Sequence, residues 1–327
     1  MKLHRNGFIL TLALGILAAP LSEGAQQPAK VPRVGIVVLA ASPPPSFKAF
    51  QQGLRELGYV EGQNIAIEYR FAQGRADRLP ALVAELVNMK VDLILTQSTQ
   101  TAVAAKNANQ TIPIVMAVSS EPVAVGLVAS LARPGGNVTG LALQLTELSG
   151  KRLQLLKEVV PKSTLVAVVW NPTNPAAAGF LEETAAAARS LNLRLQPVEA
   201  RSPADLDAAF KAVTRARASA FISLGDGMLF DNRTRIVQFA AKSRLPAIYP
   251  ERDFADAGGL MAYGPNLASN WRRAAAFVDK ILKGAKPADL PVEQPMRFEF
   301  VINMKTAKAL GVTFPPSILI RADQVIE

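Results

Sequence analysis

From residue 33 onward, short apolar runs rich in β-branched residues alternate with stretches whose apolar positions recur every three or four residues. "RVGIVVLA" (33–40) is a continuous Val/Ile-rich run, the pattern of a strand buried on both faces. Phe47, Phe50, Leu54 and Leu57 then fall at helical spacing, with Ser46 placed to cap that helix and Gly58 to stop it. The spacing next predicts a strand over 64–70, a helix over 76–89, a strand over 91–96 and an Ala-rich helix over 99–108. A strand over 112–118, a helix over 123–132 and a strand over 138–143 follow.

The pattern then restarts. A helix carrying Leu153, Leu156, Val159 and Val160 leads to the strand "TLVAVVW" (164–170), and further helix–strand pairs run through "LPAIYP". Strands separated by helices of roughly 10–15 residues imply right-handed crossovers and parallel sheets. Two such runs predict an α/β protein of two Rossmann-like lobes. The end of the chain departs from this order. A strand over 258–265, a long helix over 267–283, a Pro-rich connection, a strand over 296–303 and a short helix are too little for a third domain.

Residues 1–25 have a different pattern. Lys2 and Arg5 precede "GFILTLALGILAA", and Ser22, Gly24 and Ala25 close the segment, as in a secretory signal peptide. No later apolar run approaches the roughly 18–20 residues a membrane helix needs. The expected product is an exported, soluble chain.

Composition narrows the chemistry. The 327 residues are 50% apolar and 19% charged, enough for large cores and free of the charge blocks that mark disorder. There is no cysteine, and the one histidine, His4, lies in the segment expected to be removed. Ser-His-Asp and Cys-His catalysis are thereby excluded, as are the usual zinc sites and a lipid-bearing cysteine. No catalytic residue, metal or cofactor is expected. The formal charge is +10, but Lys and Arg are scattered, as at Arg75, Arg78, Arg152 and Arg233. With no basic stripe and no DNA-binding module, nucleic acid is not an expected partner.

In open parallel sheets, ligands bind beyond the carboxyl ends of the strands, where loops feed helix N-termini. The residues at those ends are Ser42, then Ser98 and Thr99, then Ser119, Ser120 and Glu121, and, in the second half, Trp170, Asn171, Asn174, Asp226 and Tyr249. Hydroxyls and free N–H groups at helix starts suit a carboxylate. Asp226 suits an ammonium, and Trp170 or Tyr249 an apolar body. Together they describe a small zwitterion. Gly135, Gly136 and Gly140 in "LARPGGNVTGL" fit no phosphate-binding pattern, because they precede a strand and no Lys follows them. They read as a turn leading toward a connection between the lobes.

The ordered motifs "RVGIVVL", "GLRELGYVEGQNI", "LARPGGNVTGL", "RLQLLKEVVP", "LPAIYP", "GGLMAYGP", "KILKGAKPADLPVEQP" and "FEFVINMKTAKALG" span nearly all of 33–327. In these the chain resembles a bacterial family of ABC-transporter substrate-binding proteins that includes tryptophan- and tyrosine-binding members. The resemblance implies a type I periplasmic binding protein whose chain crosses between lobes three times, near 143–146, 263–267 and 294–298. One lobe would comprise 33–144 plus 265–295, and the other 145–264 plus 296–327. It also implies that Ser98, Thr99, Ser119 and Ser120 meet a ligand carboxylate while Asn171 and Asp226 hold the rest. Glu121-Pro122 stands where many relatives carry Asp-Pro, and Gly227 follows Asp226, so the pocket departs from the family's pattern. The implied function is that of a monomeric, non-enzymatic periplasmic protein. It would capture an amino acid or small aromatic carboxylate and deliver it to an ABC permease in the inner membrane. The alternative is a sensor presenting the solute to a membrane receptor.

Overall fold

The computed structural model describes residues 30–143, 145–294 and 298–327, so the segment read as a signal peptide lies outside the described residues. Two sheets organise the chain. The first is built from β1 (Arg33–Val38), α1 (Phe47–Glu56), β2 (Ala66–Phe71), α2 (Leu79–Asn88), β3 (Leu93–Thr96), α3 (Thr99–Ala108), β4 (Ile114–Ser120) and β5 (Val138–Leu143). Its five strands are parallel in the order β2-β1-β3-β4-β5. The apolar runs of β1, β3, β4 and β5 are buried, because helices cover both faces, whereas β2 at the sheet edge is half-buried.

The second sheet follows α4 (Leu145–Val159) and contains β6 (Leu165–Trp170), α5 (Ala177–Ser190), β7 (Arg194–Glu199), α6 (Leu206–Ala216), β8 (Ala220–Ser223), α7 (Gly227–Asp231), α8 (Arg233–Lys242), β9 (Ala247–Tyr249), α9 (Arg252–Asp256) and β10 (Met261–Pro265). The chain then leaves for α10 (Leu267–Leu282) and returns as β11 (Phe298–Asn303), α11 (Met304–Leu310), α12 (Pro316–Arg321) and β12 (Gln324–Ile326). The strand order is β12-β11-β10-β9-β8-β6-β7, parallel except where β11 runs against β10. The fold is thus α/β with two parallel-sheet lobes. The sequence pattern did not predict β12 or the antiparallel pair, since three residues carry too little periodicity to read.

The odd tail is explained by packing. α10 emerges from β10 of the second sheet yet buries Trp271, Ala274, Ala275 and Val278 against the first lobe. Trp271 meets Phe47 edge-on at 5.4 Å and Phe50 at 6.1 Å, and the helices approach so closely that a Cβ on Gly53 would lie 2.9 Å from that of Ala275. Further along, the backbone of Glu293 pairs with Gly140 and Ala142 of β5 before the chain enters β11. The sheets are therefore linked by three passages of the chain, after β5, between β10 and α10, and between Glu293 and Phe298. No helix of the described residues is long and apolar enough to cross a membrane.

One expected helix is absent. Residues 123–132 form successive turns, although their apolar spacing is helical. Gly126 adopts φ +72°, the amides of Leu127 and Val128 both reach the Pro122 carbonyl, and Lys106 Nζ donates to the carbonyls of Gly126 and Leu127. Those carbonyls are thus drawn away from helical partners. Within "NVTGL", Gly140 has φ +130°, and a Cβ there would overlap the backbone nitrogen and oxygen of Met116. That contact lies beside the register shift between Met116 and Ser119, so β4 and β5 can meet only where one of them lacks a side chain.

Gly140→Ala is expected to lower the unfolding free energy by about 2–4 kcal/mol. Gly179→Ala, inside α5 where a new Cβ meets nothing within 4 Å, is expected to raise it by up to about 1 kcal/mol. Urea unfolding of the two variants checks the contrast, and equal effects would refute it.

Candidate functional site

The carboxyl ends of both sheets open onto one cavity enclosing about 490 Å³ of empty space, counting the part open to solvent. The first lobe supplies Pro44 and Ser46 from the loop after β1, Gln97 to Gln100 after β3, Ser120 at the end of β4, and Leu267 and Trp271 from α10. The second supplies Asn174 after β6, Gly225 to Gly227 and Phe230 after β8, and Glu251 after β9. Among the described residues, two carboxylates line the cavity, and no Lys, Arg or His does.

On the first-lobe side the loops are locked by their own hydrogen bonds. Ser98 caps α3 in a reciprocal box: its Oγ accepts from the Thr101 amide while Thr101 Oγ1 accepts from the Ser98 amide at 2.9 Å. Thr99 Oγ1 accepts from the Ser120 amide at 2.9 Å, tying α3 to the end of β4. Gln97 Oε1 accepts from the Leu39 amide at 3.1 Å, tying it to β1. The first turn of α3, with its positive dipole end, thus faces the cavity on a rigid frame. Ser46 sits at the head of α1 but makes no cap; its Oγ is buried without a partner on the cavity wall.

On the second-lobe side Asp226 caps α7. Its Oδ1 accepts from the Leu229 amide at 3.0 Å, and Asn171 Nδ2 donates to both carboxylate oxygens at 3.3 and 3.2 Å. Asn171 is itself oriented by Thr173, whose amide and hydroxyl donate to Asn171 Oδ1. A fourth bond crosses between lobes: Gln100 Nε2 of α3 donates to Asp226 Oδ2 at 2.7 Å. The backbones meet nearby, since a Cβ on Gly227 would stand 3.3 Å from Ser98 Cβ and 3.4 Å from Leu39 Cδ2. At the rim a Cβ on Gly74, after β2, would stand 2.8 Å from Pro203 before α6. The two lobes are in contact around the cavity.

Burial dominates the electrostatics of this wall. It pushes the carboxyl of Asp226 up against the pull of its hydrogen-bond donors, and it pushes Glu251 up to about 8 and Asp231 up to about 8. Behind Glu251 the fully buried Arg152 donates its Nε to the Tyr263 carbonyl at 2.7 Å. Desolvation lowers that guanidinium to about 10, and the charge of Glu251 offsets part of the drop. Neither Arg152 Nη2 nor Glu251 Oε2 has a hydrogen-bond partner. Among the described residues no group of His, Cys, Asp and Glu is placed to hold a metal ion.

Of the residues singled out from sequence, Ser98, Thr99, Ser120, Asn174 and Asp226 line the cavity. Asn171 stands one step behind, on Asp226. The others lie elsewhere. Ser42 is exposed on the loop after β1. Ser119 is fully buried on the face of β4 opposite Ser120, as alternation along a strand requires. Glu121 takes a left-handed conformation at φ +51°, and its Oε1 accepts from Thr146 Oγ1 of α4 at 2.7 Å, so it joins the lobes outside the cavity. Trp170 ends β6 half-buried with its Nε1 unpartnered, and packs against the core. Tyr249 is wholly buried, stacked on Phe254 at 4.9 Å. Sequence reading missed Ser46, Gln97, Gln100, Glu251 and Trp271 as lining residues. Glu251 carried a usable signal, since it follows a strand just as Asp226 does.

Comparisons with known proteins identify the family. A tyrosine-binding protein from Clostridioides difficile (strain R20291) is 28% identical over 265 residues, which cover 81% of this chain and 76% of that protein. The crystal structure of an ABC domain in complex with L-Trp from Streptococcus pneumonia superposes with a TM-score of 0.83 at 26% identity, covering 90% of this chain and 99% of that one. A ligand-free, open substrate-binding protein with adhesive properties from Clostridium difficile, at 25% identity and coverage of 90% and 99%, gives 0.62. The family model for ABC transporter substrate-binding proteins matches residues 35–326, and the chain belongs to that family.

Proposed function

We propose that this protein is an exported, non-enzymatic substrate-binding protein that closes its lobes on a zwitterionic amino acid with an aromatic or large apolar side chain and hands it to an ABC importer. The observation that carries the reading is the composition of the cavity wall among the described residues: two buried carboxylates, Asp226 and Glu251, and no basic side chain. Such a wall favours a ligand that brings its own positive charge and disfavours a free anion. The carboxylate of a zwitterion is then served by the first turn of α3, through N–H groups and hydroxyls, without a cationic side chain. Trp271, Phe230, Leu267, Leu143 and Pro44 provide the apolar surface for a side chain. Export is supported by the signal-peptide pattern of residues 1–25.

Closure follows from the division of the site between lobes. A ligand that touches α3 on one side and the second-lobe carboxylates on the other stabilises the form in which both are close. The cross-lobe bond from Gln100 to Asp226 and the fit of Gly227 against Ser98 supply protein contacts to the same form. The closer agreement with the L-Trp complex than with the open relative supports a closed arrangement.

L-Tryptophan or L-tyrosine at about 100 times its Kd is expected to stabilise the protein by about 2.7 kcal/mol, read as a rise in Tm. A flat response across the aromatic and branched amino acids would refute the ligand class. Gln100→Leu removes the cross-lobe bond and leaves a buried carboxylate short of a donor. It should weaken amino-acid binding by about 1–3 kcal/mol and expand the particle in small-angle scattering without ligand. Unchanged affinity and dimensions would take that bond out of closure.

A further inference from the structure

The two cavity carboxylates differ in what remains to them. Asp226 already receives the Leu229 amide, Asn171 Nδ2 on both oxygens, and Gln100 Nε2. A carboxylate offers about four acceptor positions, so those of Asp226 are taken by the protein itself. An ammonium could enter there only by displacing Gln100, which would break the bond between lobes and strand a buried amide. Glu251 is 5% exposed, lines the same cavity, and has its Oε2 without any hydrogen-bond partner. A buried acceptor left unpaired is costly, and a donor on a ligand held in the cavity that Glu251 lines would relieve it. The position is fixed from behind: Gly264 of β10 lies so close to the Pro250 carbonyl that a Cβ there would overlap it, which holds the turn carrying Glu251 against the sheet.

Building on the zwitterion reading, we propose that Glu251, and not Asp226, receives the ammonium group of the ligand through its free Oε2. Asp226 then serves as the bracket between lobes and Glu251 as the residue that separates amino acids from acids of the same shape lacking the amine.

The assignment has a consequence in pH. Glu251 is faced by Arg152 from α4, Arg233 from α8, Asp226 at the head of α7 and Asp253 on α9. Burial outweighs the two cations and sets the carboxyl at about 8, so near pH 7 it is mostly protonated before binding. Pairing with an ammonium favours the ionised form, so the proton leaves to solvent as the ion pair forms. Because binding lowers this pKa, affinity rises with pH by up to about tenfold per unit below pH 8 and levels off above it.

The test is titration calorimetry of the purified protein with L-tryptophan and L-tyrosine, and with 3-indolepropionate and 3-(4-hydroxyphenyl)propionate as their amine-lacking counterparts. Runs at pH 6, 7 and 8 in two buffers of different ionisation enthalpy count the protons. The wild type should prefer each amino acid over its counterpart and release close to one proton per ligand at pH 7. Glu251→Gln should lose about 10- to 100-fold in amino-acid affinity, with the preference and the proton release both abolished. Retention of the preference in Glu251→Gln, or its loss in Asp226→Asn alone, would overturn the assignment, as would buffer-independent enthalpy in the wild type. A buffer-independent enthalpy needs no variant, so it overturns the assignment even if Glu251→Gln fails to fold. Failure of the wild type to bind either amino acid would overturn the zwitterion reading, and the assignment with it.

Discussion

A carboxylate buried between two lobes must find donors, and Asp226 finds them on both sides. Its own helix supplies one, the neighbouring strand end supplies Asn171, and the opposite lobe supplies Gln100. Each of these is worth more than an exposed hydrogen bond, because the low local dielectric strengthens the contact and raises the cost of leaving it unmade. Losing the cross-lobe donor uncovers a buried charge, so the apposition of the lobes and the satisfaction of Asp226 are one event. The surroundings fit that bracket: Gly227 admits the Ser98 side chain closely, and the Ser98–Thr101 box fixes the helix that carries Gln100.

The bracket works only because each lobe is rigid where it meets the other. In the first lobe, Thr99 and Gln97 spend their polar atoms on the backbones of β4 and β1, which removes freedom from the α3 loop. α10 then braces the lobe from outside, with Trp271 wedged between Phe47 and Phe50 on one side and reaching the cavity on the other. The chain has left the second sheet to place that helix there. The passages between lobes are therefore structural members of both lobes, and a movement at the cleft is referred to short segments while the cores stay intact.

Much of this was legible in the sequence, and the rest was hidden for physical reasons. Strands such as β1 and β6 are covered on both faces and read as unbroken Val/Ile runs. Ser98 and Asp226 stood out because capping residues after a strand are visible without knowing the fold. Whether a strand-end residue faces the cavity was not visible: Ser119 and Ser120 are chemically alike, and which of them alternation turns toward the cavity depends on the phase of β4, whose register shifts between Met116 and Ser119. Tyr249 follows the same logic, an aromatic at a strand end that the core claimed through Phe254. Residues 123–132 had helical spacing, but Lys106, distant by some twenty residues, captures the carbonyls a helix would use. Gln100 depends on a partner in another element, and nothing local marks it, whereas Glu251 follows a strand as Asp226 does and could have been read.

The charge of the chain and the charge of its cavity point in opposite directions. The sequence carries a formal +10, yet the second lobe brings Asp226 and Glu251 to the cavity with Asp231 and Asp253 among the acidic residues of the same lobe, all four held above their ordinary range by burial. A basic exterior does not select for cations, so whatever selectivity the site has is generated inside, where the dielectric is low. A ligand without a donor would leave the free oxygen of Glu251 unpaired, and an anion would meet a wall with no basic side chain among the described residues. A group that is both positively charged and a hydrogen-bond donor removes the first penalty and avoids the second. Discrimination of that kind rests less on attraction to the right ligand than on the cost of burying an unpaired carboxyl with the wrong one.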